Sequence, residues 1–386
     1  MKNLIKISFL GDITCDRPML KAALKDGKYD FKASLEGIKS VIAESEYSVG
    51  NIETVFAGKK YGYNPNPISY NSPDELCMAI KAAGISMLTT ANNHCLDMGG
   101  RGIDRTIRLL EKLGIEHTGT YPTGYEGEER FLIKDIKGIR IAFVSLTACL
   151  NSRADGTMHS QEEWEQVNTL KKYKATVSGN PYKEKIKKLL PMEKINLVKA
   201  SIKRARGIAL VTARTDDNDI PQNDLEGIEK AKELLKKAGE KADYVIACVH
   251  CGGQFNDVPG RYSVQMYDEL QPYCDVIIGN HPHVVQKAEI IGDKIRAYSL
   301  GSVNMSTSAD YVSHEFSPDY SVALHIFISK DSESGKVRAK KITYSLLQSQ
   351  EDENKYIRVK LCVDYDEKAQ TVADRFVGGT DIEKEQ

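Results

Sequence analysis

The chain has 386 residues, 41% of them hydrophobic, with 53 Lys and Arg against 54 Asp and Glu. That is the profile of a globular chain with a sizeable core, and a net charge of -1 gives no global basic surface for nucleic acid, so an anionic ligand must be held locally. No apolar run approaches the ~20 residues of a membrane span, and the opening MKNLIKISFLGD is too short in its apolar part for a secretory leader, so a cytoplasmic protein is expected.

In chain order, KISFLG reads as a first core strand, followed by a polar helical stretch and a second strand, YSVGNIE. A helix opened by Ser72 and Pro73 runs to Gly84, ISMLTT is the next strand, and a helix covers about Ile103 to Leu113. RFLIKDI and IRIAFVSLT form a hairpin joined by Lys137 and Gly138. The rhythm breaks over residues 148–220. It resumes with a helix from Leu225 to Ala238, strand YVIACVH, helix VQMYDELQPY, and strands DVIIGN and IRAYSLG. SVALHIFIS and VRAKKITYSLL then flank the turn KDSESGK, and YIRVKLCV makes the end strand-rich, which suggests a second sheet packed on the first. The closing residues 378–386 form a polar tail expected to fray. The class is α/β with antiparallel additions.

The eight cysteines include several inside these elements (Cys77, Cys149, Cys248, Cys362) and read as buried thiols of a reducing compartment. Cys248 and Cys251 make a single C-x-x-C without a second pair, which fits small strand residues better than a zinc ribbon or a redox helix. The segment Lys171 to Arg206 carries twelve Lys or Arg against Glu184 and Glu193, with apolar residues at helical spacing on either side of Pro191. It reads as a helical insertion or lid: either a cationic flap over an anionic substrate or a solvated helical pair.

Four of the eight histidines stand where apolar runs end. VIIGNHPHVVQ releases His281 and His283 around Pro282, YVIACVH ends at His250, and ISMLTTANNH ends at Asn93 and His94. ISFLGD delivers Asp12 and GNIET delivers Glu53. Neutral imidazoles and carboxylates suit Mn, Fe and Zn, and the carboxyl ends of strands are where α/β folds place ligands. Three imidazoles near a sheet edge give a core little without an ion between them. His94 can donate a proton to a leaving group, with Asp97 orienting the ring and favouring its charged form. The structural alternatives are a helix cap or loop carboxylate for Asp12 and Glu53, and Asx turns for Asn92, Asn93 and Asp97.

Taken in order, GDITCDRPM, GNIET, the block from ISYNSPDELC through ANNHCLDMGG to GIEHTGT, VHCGGQ, GNHPHVVQ and AYSLGS resemble the bacterial capsule synthesis protein family (CapA, poly-gamma-glutamate synthesis). That family is itself similar to calcineurin-like metallophosphoesterases. The resemblance spans nearly the whole chain except about 150 to 220. It implies an αββα sandwich of two mixed sheets flanked by helices, one domain over residues 1–386 with 148–220 as the insertion. It further implies a two-ion site: Asp12 and His283 on the first divalent metal, Glu53 bridging, Asn93, His250 and His281 on the second, and His94 as proton donor. Phosphoesterases of this type use two ions to activate water and polarise the phosphate.

Three departures stand out. Thr14 replaces the histidine usual two residues after the first aspartate, leaving the first metal one ligand short. The usual H-W-G-x-E is His250-Cys251-Gly252-Gly253-Gln254, and Y-S-L-G-N ends in Ser302. Two functions follow as expectations. One is a metal-dependent phosphoesterase-type hydrolase acting on a small or polymeric anionic substrate. The other is a non-hydrolytic accessory factor that binds an acidic polymer or the capsule polymer synthase.

Overall fold

The computed structural model describes residues 4–66, 68–173, 198–199, 201–203, 205–206, 211–309 and 311–385. Among these the strands form two large sheets. The first, eight-stranded, runs Ile357–Leu361, Val337–Glu351, Tyr320–Lys330, Ile5–Ile13, Tyr47–Ile52, Met87–Thr89, Glu116–Thr118, with Glu383–Lys384 added onto Val337–Glu351. The second, six-stranded, runs Ala288–Ile291, Lys294–Ala297, Val276–Asn280, Tyr244–His250, Ile139–Thr147, Leu132–Ile136.

Strand alternation builds the layers. Ile5, Ile7 and Phe9 of the first sheet meet Ile141, Phe143, Ile246, Cys248, Val276 and Ile278 of the second in one buried cluster. The intervening residues face outward. Leu10 and Ile13 pack on Met19, Leu35, Ile38, Leu76 and Ile80 of the helices Arg17–Ala23, Lys32–Ile42 and Asp74–Ala82. Ala142, Val144, Val245 and Ile277 pack on Ile228, Leu235, Met266 and Leu270 of the helices Leu225–Lys241 and Arg261–Leu270. Side chains of period two thus serve two cores at once, and the expected αββα sandwich is the observed architecture.

Within each sheet the central strands are parallel. Ile5–Ile13, Tyr47–Ile52, Met87–Thr89 and Glu116–Thr118 run together in one. Ile139–Thr147, Tyr244–His250, Val276–Asn280 and Lys294–Ala297 do so in the other. The hairpin is as read, with Lys137 at φ 50° and Gly138 at φ 82° making its turn.

Three expectations are corrected. The strand-rich end does not found the second sheet: Tyr320–Lys330 pairs antiparallel with Ile5–Ile13 and extends the first. The helix Glu367–Val377 was not anticipated, although Asp366 caps it, Gly378 at φ 57° ends it, and Ala369, Val372, Ala373 and Phe376 carry its buried stripe. The tail does not fray over its described part: Ile382 is buried, and Glu385 accepts from Lys6 at 2.6 Å. Of the basic segment, Lys171, Lys172, Lys199, Lys203 and Arg206 lie among the described residues; the other seven bases lie outside them.

The first strand reaches the rim through a close approach. Asp12 N–H donates to Gly301 O at 3.0 Å, and a Cβ on Gly11 would fall on that same carbonyl oxygen. Gly11→Ala should therefore push the first strand off residues 300–302 and cost about 1–3 kcal/mol, the range for overpacking. The measurement is the denaturant midpoint, and an unchanged midpoint would contradict the packing argument.

Candidate metal centre

Every residue anticipated as a ligand sits at a strand's carboxyl end, and the two sheets bring these ends to one rim. Asp12 lies in Ile5–Ile13, Glu53 follows Tyr47–Ile52, His250 closes Tyr244–His250, and His281 and His283 follow Val276–Asn280. Asn93 and His94 lie beyond Met87–Thr89 in the turn leading to the helix Gly99–Lys112. Parallel pairing makes this convergence automatic: Asn280 is in register with His250, and His250 with Thr147.

The side chains fall into two groups joined by Glu53. In one, His283 Nδ1 stands 3.3 Å from Asp12 Oδ2 and 2.9 Å from Ser302 Oγ. In the other, His250 Nε2 stands 2.8 Å from Asn93 Oδ1 and 3.0 Å from His281 Nδ1. Glu53 directs Oε1 at His250 Nε2, 3.6 Å away, and Oε2 at His283 Nδ1, 3.5 Å away. A carboxylate with one oxygen toward each group has the disposition of a bridging ligand.

Electrostatics sharpens this. Asp12 and Glu53 are fully buried, and neither Glu53 oxygen has a hydrogen-bond partner among the described residues. Burial, then Asp12 and Asp97, pushes the Glu53 carboxyl well above its ordinary range. Burial and neighbouring imidazoles push His250 and His281 far below theirs. Alone, Glu53 is held toward the neutral acid, and His250 and His281 toward neutral imidazole. A divalent cation suits both, since neutral imidazole is the ligand form and the cation compensates the carboxylates. The residues present therefore fit such an ion.

His94 stands beside this cluster. Its Nδ1 is 2.7 Å from Asp97 Oδ2, its Nε2 is 3.4 Å from Asn151 Nδ2, and its ring packs 4.3 Å from that of Tyr70. Asp97 also accepts the Tyr70 backbone N–H at 2.6 Å. It caps no helix, because Gly99–Lys112 has Met98 at its N-cap without a side-chain bond. The Asx reading survives only for Asn92, whose Oδ1 accepts from His94 N–H at 3.0 Å. Nor do Asp12 and Glu53 serve as caps.

The backbone is bent to present the histidine pair. His281 has φ 103° and His283 φ 60°, a region that residues with side chains rarely enter, and the Asp12 carboxylate holds the first by accepting its N–H at 3.0 Å. Strain of this kind, about 1–3 kcal/mol per residue, collects at functional sites.

Asn51 and Asn151 escaped the sequence reading, which named Thr14 and Ser302 only as departures from the family pattern. Asn51 donates to Asp12 Oδ1 at 2.7 Å and lies 3.3 Å from His250 Nδ1. Two positions before Glu53, it shares that residue's face of the strand, so alternation was the available signal. Ser302 and Asn151 hold His283 and His94 from loops. Thr14 is buried with no partner for its hydroxyl among the described residues, its N–H donating to Asn304 Oδ1 at 3.0 Å.

The cluster opens onto a cavity of about 1100 Å³ with Asn93, His94 and His283 in its lining. Arg17, Lys21, Arg153, Lys203, Arg214 and Lys355 line it against one acid, Asp16. Arg153 is paired with Glu163 and Lys355 with Glu351.

With this geometry in view, residues 6–306 match the family described as Bacterial capsule synthesis protein PGA_cap. The chain belongs to this family. It is 22% identical over 302 residues to Capsule biosynthesis protein CapA of Bacillus anthracis, covering 77% of this chain and 59% of that protein. It is 21% identical over 302 residues to PGA biosynthesis protein CapA of Bacillus subtilis (strain 168), covering 78% and 63%. The chain thus spans about three fifths of the length of these curated relatives. Among solved structures, a hypothetical protein from Thermus thermophilus aligns with TM-score 0.43 at 14% identity, covering 89% of this chain and 99% of that one. Among the described residues no helix is long and apolar enough to cross a membrane.

The Glu53 environment gives a pH test. A carboxyl raised in the folded state binds a proton where the unfolded chain does not, so it lowers stability increasingly as pH rises above the ordinary 4.5. Metal-free Glu53→Gln should lose that component. Its denaturation midpoint, measured from pH 5 to 9, should fall less with rising pH than the wild type's, and parallel profiles would contradict the assignment.

Proposed function

We propose that this chain is a divalent-metal-dependent hydrolase of the phosphoesterase type, acting on a small or polymeric anionic substrate in capsule or poly-gamma-glutamate biosynthesis. The observation that carries the proposal is Glu53, buried, without a hydrogen-bond partner, and directing one oxygen at each of two imidazole-containing groups. Asp12, Glu53, Asn93, His250, His281 and His283 would hold Mn, Fe or Zn. Bound there, such ions would supply Lewis-acid charge and a more acidic water.

The chain's own residues do the rest. The positive balance of the cavity lining, which remains after Arg153 and Lys355 are paired with acids, would attract and orient the anion. Asp97 would fix the His94 tautomer by accepting from Nδ1, which leaves the other nitrogen, Nε2, 3.9 Å from Glu53 Oε1 at the edge of the cluster, to carry the proton given to a leaving oxygen. Tyr70 packs on the ring and its backbone N–H fixes Asp97, so the donor is oriented before substrate arrives.

Two observations favour a second reading, an accessory factor that binds an acidic polymer or the polymer synthase without hydrolysis. Gln254 stands in the cavity where relatives of this pattern place an acid, and Thr14 supplies no imidazole.

The two readings part in one experiment. Metal-free protein supplied with Mn, Fe or Zn should turn over members of a phosphomonoester and phosphodiester panel. His94→Ala should lower kcat by about 10²–10⁴, the usual weight of general acid–base catalysis, with metal content unchanged. No turnover with any metal or ester would overturn the hydrolase reading, and salt-sensitive polyglutamate binding in its place would establish the second.

A further inference from the structure

We infer that Cys149 is a thiolate ligand of the ion held by His250 and His281, which makes that position a nitrogen, oxygen and sulfur site suited to zinc, ferrous iron or cobalt over magnesium or manganese. The inference rests on the metal reading above. Cys149 Sγ lies 3.9 Å from His281 Nε2, and ligand atoms of Cys149, His250 and His281 all fall within 4.8 Å of one another. Asn93 Oδ1, 2.8 Å from His250 Nε2, offers an oxygen to the same group.

The chain path holds the thiol there. Thr147 ends its strand in register with His250, Ala148 N–H donates to His250 O at 3.0 Å, and Asn151 N–H donates to Asn93 O at 2.9 Å. Residues 148–151 therefore cross the rim between two of the groups they would serve, and Thr147 Oγ1 pins the Cys149 carbonyl at 2.8 Å.

Its surroundings set Cys149 apart from the other thiols nearby. Cys95, Cys248 and Cys251 are buried members of three separate apolar clusters, as a cysteine serving as a small hydrophobe should be. Cys149 belongs to none of the apolar clusters among the described residues and is partly exposed. A thiol outside those apolar clusters, its Sγ within 4.8 Å of a ligand atom of each of two imidazoles, has the chemistry of a ligand; on binding, its proton passes to solvent.

Cobalt(II) titration of the metal-free full chain tests this. The expected spectrum has visible d–d bands from nitrogen and oxygen ligands and a sulfur-to-cobalt charge-transfer band in the near ultraviolet. Cys149→Ser and Cys149→Ala should lose the second and keep the first, and zinc's advantage over manganese in competition should shrink. Cys95→Ser and Cys251→Ser should keep both bands. Bound cobalt with d–d bands but no charge-transfer band in the wild type, or a band surviving in both Cys149 variants, overturns the inference while leaving the metal reading intact. Absence of cobalt binding overturns both.

Discussion

The arrangement at the rim depends on two carboxyl groups buried without a Lys or Arg partner among the described residues. Asp12 and Glu53 are both fully enclosed, and no Lys or Arg among the described residues pairs with either. Removing a carboxylate from water costs several kcal/mol unless a partner restores the lost solvation. Asp12 recovers part of it through Asn51 and the His281 N–H. Glu53 recovers none by hydrogen bonding to the described residues, and that deficit is the strongest physical pointer to a cation.

The fold makes such a site possible by the way it divides its side chains. Strands with period-two alternation give one face to the shared core and the other to the outer helices, so polar groups concentrate where the pattern stops. Because the central strands of each sheet are parallel, these stops lie at one edge. Two sheets then bring candidate ligands from opposite sides: Asp12, Glu53 and Asn93 from the first, His250, His281 and His283 from the second. The left-handed backbone at His281 and His283 is tolerated because a rigid core and the Asp12 carboxylate hold it.

Much of this was legible in the chain, for a local reason: an apolar strand run ending in a metal-capable residue marks both the element and its rim. That signal singles out Asp12, Glu53, Asn93, His94, His250, His281 and His283, which the structure brings to one rim. Asn51 was missed because an amide inside a strand carries no mark of its own until its alternation with Glu53 is considered. Cys149 and Ser302 owe their positions to loops whose course is set by tertiary contacts. The pairing of Tyr320–Lys330 with Ile5–Ile13 joins segments far apart in sequence, and no local pattern encodes such a register. The terminal helix is different: its Asp366 cap and the apolar spacing of Ala369, Val372, Ala373 and Phe376 are local signals, set between β-rich flanks.

The most direct measurement is elemental analysis of the protein purified without chelators, combined with anomalous scattering from crystals of the same preparation. The account predicts tightly bound divalent metal, about two ions per chain as in two-metal hydrolases, scattering at the rim between Glu53 and the strand-end carboxylate, amide and imidazole groups. Protein free of divalent metal, or anomalous peaks remote from Glu53, would contradict it.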